Sequence, residues 1–478
     1  MTILNRRNLL AGAGAAGLAA GLPLPALAKP RRRVLPAFFD DLEKRTFRFF
    51  WERANPANGL IPDRWPTPSF ASIAAIGFGM SALCIGAERG WITRADARDR
   101  ILTTLHFMAA LPQGNAATGV AGHKGFFYHF LDMETGLRFR NVELSTVDSA
   151  LLFMGALHAA EWFDGLNPTE RELRRVAHAL VDRADWRWFQ QAGRAIPMGW
   201  HPETGFIHRA WTGYNEGKLV YILALGSGTH PAREGSWDAW TATYPDFWRG
   251  EGRQRRLAFA PLFGHQYSEM WIDFRGIRDA PMRAGNLDYF ENSRRATLAQ
   301  HAYAIANPMG WRGYDRNVWG LTACDGPGDH GGQIDQHEAR FRGYSARGPI
   351  AEPDGFDDGT IAPTAMLGSL PFAPEIVIPS TLELHRRHGA RIYGEYGFRD
   401  AFNPSFTDTA KGSKSGSVDG RTGWVATDWL AIDQGPIVGM IANHRNGSIW
   451  RAMRKSAVIR RGLLRAGFTG GWLDAATR

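Results

Sequence analysis

Two kinds of helix alternate along this chain, and their alternation limits the fold more than any other feature of the sequence. Residues 92–111 and 167–186 carry apolar residues at helical spacing on one face and charges on the other. Other segments are apolar or small on most faces, so protein must cover them all round: residues 69–87, 145–163, 215–226, the stretch after Asn286, and residues 435–443. We expect an all-α fold with an inner ring of covered helices inside an outer ring, an (α/α) toroid.

A double ring places every inner-helix N-terminus on one face, because successive inner helices run parallel to one another. The loops that enter these helices should therefore build one funnel, and the residues that carry chemistry should lie there. A helical solenoid would repeat with a fixed period, which the sequence does not show. No linker divides residues 29–478, so we predict one domain in which residues 329–343 and 409–423 are loop insertions.

The first 28 residues have the pattern of an export signal. Arg6-Arg7 precede a weakly apolar Ala/Gly/Leu stretch, and Ala26-Leu27-Ala28 fits a cleavage site, which predicts a twin-arginine signal peptide. An ordinary secretory signal and a membrane anchor are the alternatives. We expect a periplasmic or secreted protein that is not inserted in a membrane after cleavage.

Charge and cysteine content exclude several classes of protein. The formal charge of +9 is not gathered into a basic face or a known binding module, so nucleic acid is not an expected partner. Cys84 and Cys324 are too few for a disulfide framework and lack the spacing of a zinc site, so both are predicted to be free and buried. The oligomeric state does not follow from the sequence.

The segment "GHQYSEMWIDFRG" offers His265, Glu269 and Asp273 at the i, i+4 spacing of some metal ligands. No HExxH or similar motif completes such a set, so we expect neither a metal nor another cofactor. Hydrogen bonding to substrate hydroxyls by His265 and Tyr267, with Arg275 partnering an acid, is the favoured interpretation.

Aromatic residues, among them 18 Trp and 28 Phe, are abundant and several lie in Gly/Pro-rich connections. Sugar rings stack on such side chains, while acids and amides bind the hydroxyls. Core packing explains any single one, but as a set they indicate a carbohydrate site: Trp65, Trp200, Trp211, Tyr214, Trp311, Trp319 and Trp424. Asp325 and Asp358 lie beside Gly and Pro, the composition of a binding rim.

Two acids at predicted inner-helix heads are candidates for catalysis. Glu216 precedes the covered segment "KLVYILALG" and is flanked by Trp211 and Tyr214. Lost hydration would raise its pKa and the helix dipole would lower it, so the sign of the shift stays open. If burial prevails, Glu216 is a proton donor of the kind that glycosidases use. Asp433 lies before Pro436, which suits the first position of a helix.

Glu143 and Asp148 stand at a third helix head. Asp148 has a structural explanation, because Ser145 as N-cap and an acid three residues later form a capping box. Glu143 lies before the cap and helps no helix, which makes it the better functional candidate of the two.

Nine segments resemble, in order, the bacterial glucoamylase-like domain family, which is associated with glycoside hydrolase family 144, the β-1,2-glucanases. They span roughly residues 38–454: "RANPANGLIPDRWPTPSFASIAAIGFG", "GFFYHFLDMETGLRF", "ELSTVDSALL", "GYNEGKLVYILALGS", "FGHQYSEMWIDFRGI", "YFENSRRATLAQHAYAIANP", "WGLTACDGPG", "DDGTIAPTA" and "LAIDQGPI".

This resemblance implies an (α/α)6 toroid and inverting hydrolysis of β-1,2-glucan, either endo or releasing sophorose. It implies a general acid at Glu216, which protonates the leaving oxygen directly or through a substrate hydroxyl. The general base is carried onto Asp433, with Glu143 binding substrate or assisting a proton relay. Residues 329–343 and 409–423 depart from the family pattern, so endo and exo cleavage both stay open.

Two other functions remain compatible with these residues. A polysaccharide lyase on the same toroid would use Tyr267, His265 and Arg275 on a uronic acid. A non-catalytic glycan-binding protein would use the aromatic residues alone.

Overall fold

The computed structural model describes residues 34–334 and 337–475, so the predicted signal peptide lies outside the described residues. Helices dominate this part of the chain. It contains seventeen α-helices: α1 Phe38–Arg53, α2 Ile73–Glu88, α3 Arg94–Ala110, α4 Thr146–Trp162, α5 Pro168–Asp182, α6 Trp186–Gln190, α7 Lys218–Gly226, α8 Ser236–Thr241, α9 Tyr267–Trp271, α10 Ala280–Ala284, α11 Tyr289–Ala306, α12 Pro363–Leu367, α13 Pro374–Ile392, α14 Ala431–Asn446, α15 Ser448–Met453, α16 Ala457–Arg465 and α17 Gly471–Ala475.

Short antiparallel strands fill the connections, in sheets of two or three strands. The same described residues form twenty of them: β1 Arg64–Trp65, β2 Ala71–Ser72, β3 Gly122–His123, β4 Phe126–Phe127, β5 Phe130–Leu131, β6 Leu144–Ser145, β7 Gly199–His201, β8 Gly205–Phe206, β9 Trp248–Arg249, β10 Arg256–Leu257, β11 Ala323–Cys324, β12 His330–Ile334, β13 His337–Phe341, β14 Ser345–Ala346, β15 Tyr393–Gly394, β16 Gly397–Phe398, β17 Phe402–Asn403, β18 Gly416–Asp419, β19 Gly423–Ala426 and β20 Trp429–Leu430.

Six helices of the described chain are buried on nearly all sides and form the inner ring: α2, α4, α7, α9, α12 and α14. Helix α2 packs on α4 and α14, α4 packs on α7, and α14 packs on α9 and α12. Amphipathic helices cover the outside: α1 and α3 lie on α2, α5 on α4, α13 on α12 and α16 on α7. The predicted (α/α)6 toroid is confirmed.

Helix α11 does not belong to the inner ring, contrary to the prediction. The stretch after Asn286 was expected to be covered all round, but α11 buries one face, which includes Asn292, Thr297 and Gln300, and leaves the opposite face more open. That buried face is made of small and polar side chains, so the sequence hides its amphipathic period. Helix α11 therefore belongs to the outer layer.

The start of α14 also differs from the prediction. The helix begins at Ala431, so Asp433 lies in its first turn and Pro436 lies inside the helix. Proline has no N–H to bond the carbonyl four residues earlier. That carbonyl, of Ile432, instead accepts a hydrogen bond from the Tyr267 hydroxyl at 3.5 Å. The proline thus frees a backbone acceptor at the mouth of the ring.

Among the described helices, none is both long and apolar enough to cross a membrane. Cys84 and Cys324 are both buried and free, as predicted.

Close contact between α2 and α4 depends on two glycines. A Cβ added at Gly77 would lie 2.2 Å from the Leu151 carbonyl oxygen, and one at Gly155 would lie 2.1 Å from the Gly77 carbonyl oxygen. Both obstacles are backbone atoms, which cannot rotate away. The two covered helices therefore approach closely only because these positions lack side chains.

We predict that Gly77→Ala lowers the free energy of unfolding by about 1–3 kcal/mol through overpacking, although alanine favours a helix by about 1 kcal/mol. Urea denaturation measures the change. Gly331→Ala is the control, because an added Cβ there meets nothing within 4 Å. Equal stability of Gly77→Ala and the unsubstituted protein would contradict the prediction.

Candidate active site

The N-terminal ends of the inner helices meet on one face of the ring, as their parallel arrangement predicts. The Thr364 hydroxyl at the start of α12 donates to the Asp433 carbonyl of α14 at 3.0 Å. The Ser268 hydroxyl of α9 donates to the Glu216 carbonyl, just before α7, at 3.2 Å. Loops that enter different inner helices therefore share one funnel.

Glu216 is held in a tight turn directly before α7. The Asn215 side-chain oxygen accepts a hydrogen bond from the Gly217 N–H at 2.9 Å, which fixes this turn. Trp211 packs against Gly217, since a Cβ added there would lie 3.1 Å from the indole ring. The Trp211 ring N–H donates to the Thr146 hydroxyl of α4 at 2.9 Å. An aromatic wall and a neighbouring helix head thus position this acid.

One carboxyl oxygen of Glu216, Oε2, is shielded from water and has no hydrogen-bond partner among the described residues. Burial raises the pKa of Glu216 to about 7, against the effect of its own backbone N–H. The charge of Asp148 adds to the rise and that of Arg209 opposes it. Burial therefore prevails over the polar groups of the helix head. Glu216 holds a proton near neutral pH that it is able to donate, the property of a general acid.

His129 lies between two acids at the head of α4. Its Nδ1 is 2.9 Å from Glu143 Oε1, and its Nε2 is 3.5 Å from Asp148 Oδ1. Burial disfavours the charged ring, but the charges of Asp148 and Glu143 outweigh it and raise the pKa of His129 to about 9. Burial opposes ionisation of Glu143 as well, yet the bond from His129 lowers the pKa of that carboxyl. Glu143 is thus an anion at neutral pH.

His129, Glu143 and Asp148 also offer ligand atoms within 4.8 Å of one another, an arrangement that suits a metal ion. In the structure the three side chains pair with one another, because His129 lies between the Glu143 and Asp148 carboxyls. Asp148 also has its predicted structural bond, because its N–H donates to the Ser145 hydroxyl at 3.2 Å.

Asp433 and Asp400 form a second acidic group on the α14 side of the funnel. Asp400 Oδ1 and Asp433 Oδ2 are both shielded from water and have no hydrogen-bond partner among the described residues. Burial, and after it the charge of Asp400, holds the pKa of Asp433 well above its usual range. Two neighbouring buried carboxyls therefore oppose each other's ionisation.

Arg64 supplies positive charge to this second group. Its Nη1 is 2.8 Å from Asp325 Oδ2 and 3.7 Å from Asp428 Oδ2, and its Nε is 3.2 Å from Asp63 Oδ2. The Asp325 N–H donates to Asp400 Oδ2 at 2.7 Å. Burial, and next the charge of Asp400, still raises the pKa of Asp325 to about 7. A single guanidinium does not balance so many carboxyls.

Tyr267 connects the two acidic groups. Burial raises the pKa of its hydroxyl well above the usual range, and the charges of Asp433, Glu216 and Asp148 raise it further. Its hydroxyl donates to the carbonyl of Ile432, next to Asp433, at 3.5 Å, and the neighbouring Ser268 hydroxyl donates to the Glu216 carbonyl at 3.2 Å. Helix α9 therefore contacts the backbone beside both acids.

Sequence patterns did not single out five residues of this site: Asp63, Arg64, His129, Asp400 and Asp428. Two of the segments that carry the family resemblance, "IPDRW" and "FFYHF", contain three of them. A charged residue inside an apolar loop was the sequence feature that could have indicated these three positions. Asp400 bonds a residue 75 positions away, which no local pattern reveals.

Tyr214, His265 and Glu269 lie in the core behind α7 and not in the funnel. Lys218 donates from Nζ to the Tyr214 hydroxyl at 3.0 Å and forms a buried ion pair with Glu269. His265 Nε2 bonds the Phe259 carbonyl at 3.2 Å, and burial lowers the pKa of His265 to about 3. The structure assigns these side chains to the support of the inner ring.

Arg275 lies at the opposite end of the ring. It bonds both oxygens of Asp273 at 2.7 Å and stacks on Trp450, beside the C-terminal end of α14. At 1.5 Å per residue, that end is about 20 Å from Asp433. Arg275 therefore partners an acid as expected, but it does not reach a substrate in the funnel. The three residues considered for a lyase are not brought together.

Two residues assigned to the rim are buried supports. Trp319 donates its ring N–H to the Ser380 hydroxyl at 2.9 Å, and Asp358 forms a fully buried ion pair with Arg347. Of the aromatic set, five are core residues: Trp211, Tyr214, Trp311, Trp319 and Trp424. Trp65 and Trp200 are half-buried. The accessible aromatic surface is smaller than the sequence suggests.

The chain is similar in sequence and structure to known proteins. The model of the Glycoamylase family, described as "Putative glucoamylase", matches residues 208–457. A crystal structure from Bacteroides uniformis with the same description is 33% identical, and the alignment covers 91% of this chain and 97% of that one with a TM-score of 0.76.

Two further similar proteins have named activities. An endo-β-1,2-glucanase from Chitinophaga pinensis, solved with sophorotriose and glucose, is 26% identical over 91% of this chain and 98% of its own, with a TM-score of 0.75. An exo β-1,2-glucooligosaccharide sophorohydrolase from Parabacteroides distasonis is 26% identical over 456 residues, 89% of this chain. The match spans 57% of the length of that curated relative.

Proposed function

The chain belongs to the Glycoamylase family, and on that basis we propose that it is an inverting glycoside hydrolase that cleaves β-1,2-linked glucan. One observation carries the proposal. Glu216 and Asp433 stand at the heads of two inner helices that α9 joins, through Ser268 to the Glu216 carbonyl at 3.2 Å and through Tyr267 to the Ile432 carbonyl at 3.5 Å, and burial raises the pKa of Glu216 to about 7. Inverting hydrolysis needs one proton donor and one proton acceptor around the scissile bond.

Glu216 is the general acid of this proposal. It gives its proton to the glycosidic oxygen, directly or through a substrate hydroxyl, as the bond from that oxygen to the anomeric carbon breaks. Asp433 is the general base, and it accepts a proton from the water that attacks the anomeric carbon. Burial and the charge of Asp400 favour a proton on Asp433, so this step requires Asp433 to pass that proton to Asp400 or to solvent before it activates the water.

Glu143 has a different role from these two. Its bond to protonated His129 keeps it ionised, so it has no proton to give. An anion at the head of α4 accepts hydrogen bonds from sugar hydroxyls, and we assign Glu143 to substrate binding.

The substrate class follows from the relatives that act on β-1,2-linked glucose, one of which was solved with sophorotriose. We propose an oligosaccharide or polysaccharide of that linkage as the partner of the funnel. The twin-arginine pattern of residues 1–28 supports export, so we propose that the enzyme acts in the periplasm or outside the cell.

We predict that Glu216→Gln lowers sugar release from linear β-1,2-glucan by at least about a hundredfold, because the amide has no proton for the leaving oxygen. Reducing-sugar release and chromatography of the products measure the loss. Glu251→Gln, at an exposed loop position, is the matched control and should keep full activity. Full activity of Glu216→Gln would remove Glu216 from the mechanism.

We also predict a pH dependence set by Glu216. As the pH rises through about 7, this carboxyl loses its proton, so kcat/KM should fall about tenfold per pH unit above that value. Arg209→Gln removes a charge that lowers the pKa of Glu216, so it should shift the fall to higher pH. A rate that stays constant up to pH 9 would contradict this assignment.

A further inference from the structure

Tyr344 is an exposed aromatic residue beside the second acidic group of the funnel. It is 55% exposed, and it is the one aromatic among the large apolar residues that are exposed in the described part of the chain. Antiparallel pairing of β11 with β14 sets Cys324 opposite Ser345, so Tyr344 lies beside Asp325, which bonds Arg64 and Asp400. An exposed ring beside these acids is open to a ligand.

The backbone around Tyr344 is fixed by a buried guanidinium. Arg347 donates to the carbonyls of Gly343 at 3.0 Å and Ser345 at 3.1 Å, on either side of the tyrosine. The same guanidinium bonds both oxygens of Asp358 at 2.8 and 2.9 Å, and both side chains are fully buried. The position of the ring is therefore set before any ligand binds, which lowers the ordering cost of binding.

Residues 409–423 support this segment from outside. Lys411 donates from Nζ to the Gly331 carbonyl at 2.6 Å, and the Ser415 hydroxyl donates to the Gly326 carbonyl at 2.9 Å. These bonds join residues 409–423 to the segment that leads into the β12–β13 hairpin. Residues 409–423 therefore contact the segment around β12, and Tyr344 lies three residues after the end of β13.

We infer that Tyr344 is a preformed stacking surface that holds one glucosyl ring beside the second acidic group, and that it determines the affinity of this enzyme for its β-1,2-glucan chain. The inference rests on the proposed function for the identity of the sugar. Its physical basis is the C–H face of a pyranose ring, which packs on an aromatic ring.

The test compares Tyr344→Ala, Tyr344→Phe and a control, Leu464→Ala, whose side chain is 53% exposed on the outer helix α16. Tyr344→Ala should raise KM for linear β-1,2-glucan about tenfold, the size of one aromatic contact, and change kcat by less than about threefold. Tyr344→Phe keeps the ring and should keep KM within about twofold. Leu464→Ala should match the unsubstituted enzyme, and thermal unfolding should show that all variants fold.

An unchanged KM in Tyr344→Ala would overturn the inference, and so would an equal loss in Tyr344→Phe, because that loss would belong to the hydroxyl. Calorimetric binding of sophorooligosaccharides to Glu216→Gln, with and without Tyr344→Ala, provides a second readout. It measures stacking without hydrolysis. Absence of hydrolysis by the unsubstituted protein would remove the proposed function alone, whereas binding unaffected by Tyr344→Ala would remove the inference alone.

Discussion

The crowding of buried carboxyls at the mouth of the inner ring is the constraint on which the rest of the structure depends. Each inner helix presents its positive N-terminal end there, which makes an acid tolerable. Several shielded acids cannot all be ionised together. The cations Arg64 and His129 offset part of this charge, and burial raises the pKa values of Glu216 and Asp433.

Close packing and backbone hydrogen bonds hold these groups in place. Gly77 and Gly155 let α2 and α4 touch through their backbones, which fixes the spacing of two helix heads. Pro436 frees a carbonyl that the Tyr267 hydroxyl bonds, so the tyrosine is tied to α14 while it faces the acids. The loop at Tyr344 is fixed in a similar way, by hydrogen bonds from the buried guanidinium of Arg347 to its backbone. Fixed donors and acceptors cost little reorganisation during reaction.

The toroid could be predicted from the sequence because the residues of each helix show whether it is buried on all sides or amphipathic. Glu216 and Asp433 could be predicted because both stand at the heads of covered segments. Asp400 was not predicted, because its place in the site depends on a hydrogen bond with Asp325, which lies 75 residues earlier in the chain. His129 was not predicted either, because it acquires its charge only between Glu143 and Asp148.

The residues that were wrongly assigned to the site were misplaced for a common physical reason. His265, Glu269 and Asp273 have helical spacing, yet α9 spans only Tyr267–Trp271, so the first and last of them lie outside it. Trp319 belongs to a Gly-rich connection, but its indole fills the core and bonds a hydroxyl of α13. Composition marks a loop and does not say which way its side chains point.

The stereochemistry of the first product tests the central claim most directly. Proton NMR recorded during early hydrolysis of linear β-1,2-glucan reports the anomeric configuration of the newly formed reducing end before it equilibrates. A donor at Glu216 and a water-activating base at Asp433 predict that the α-anomer appears first. First appearance of the β-anomer would show retention and would contradict the assignment of these two carboxyls.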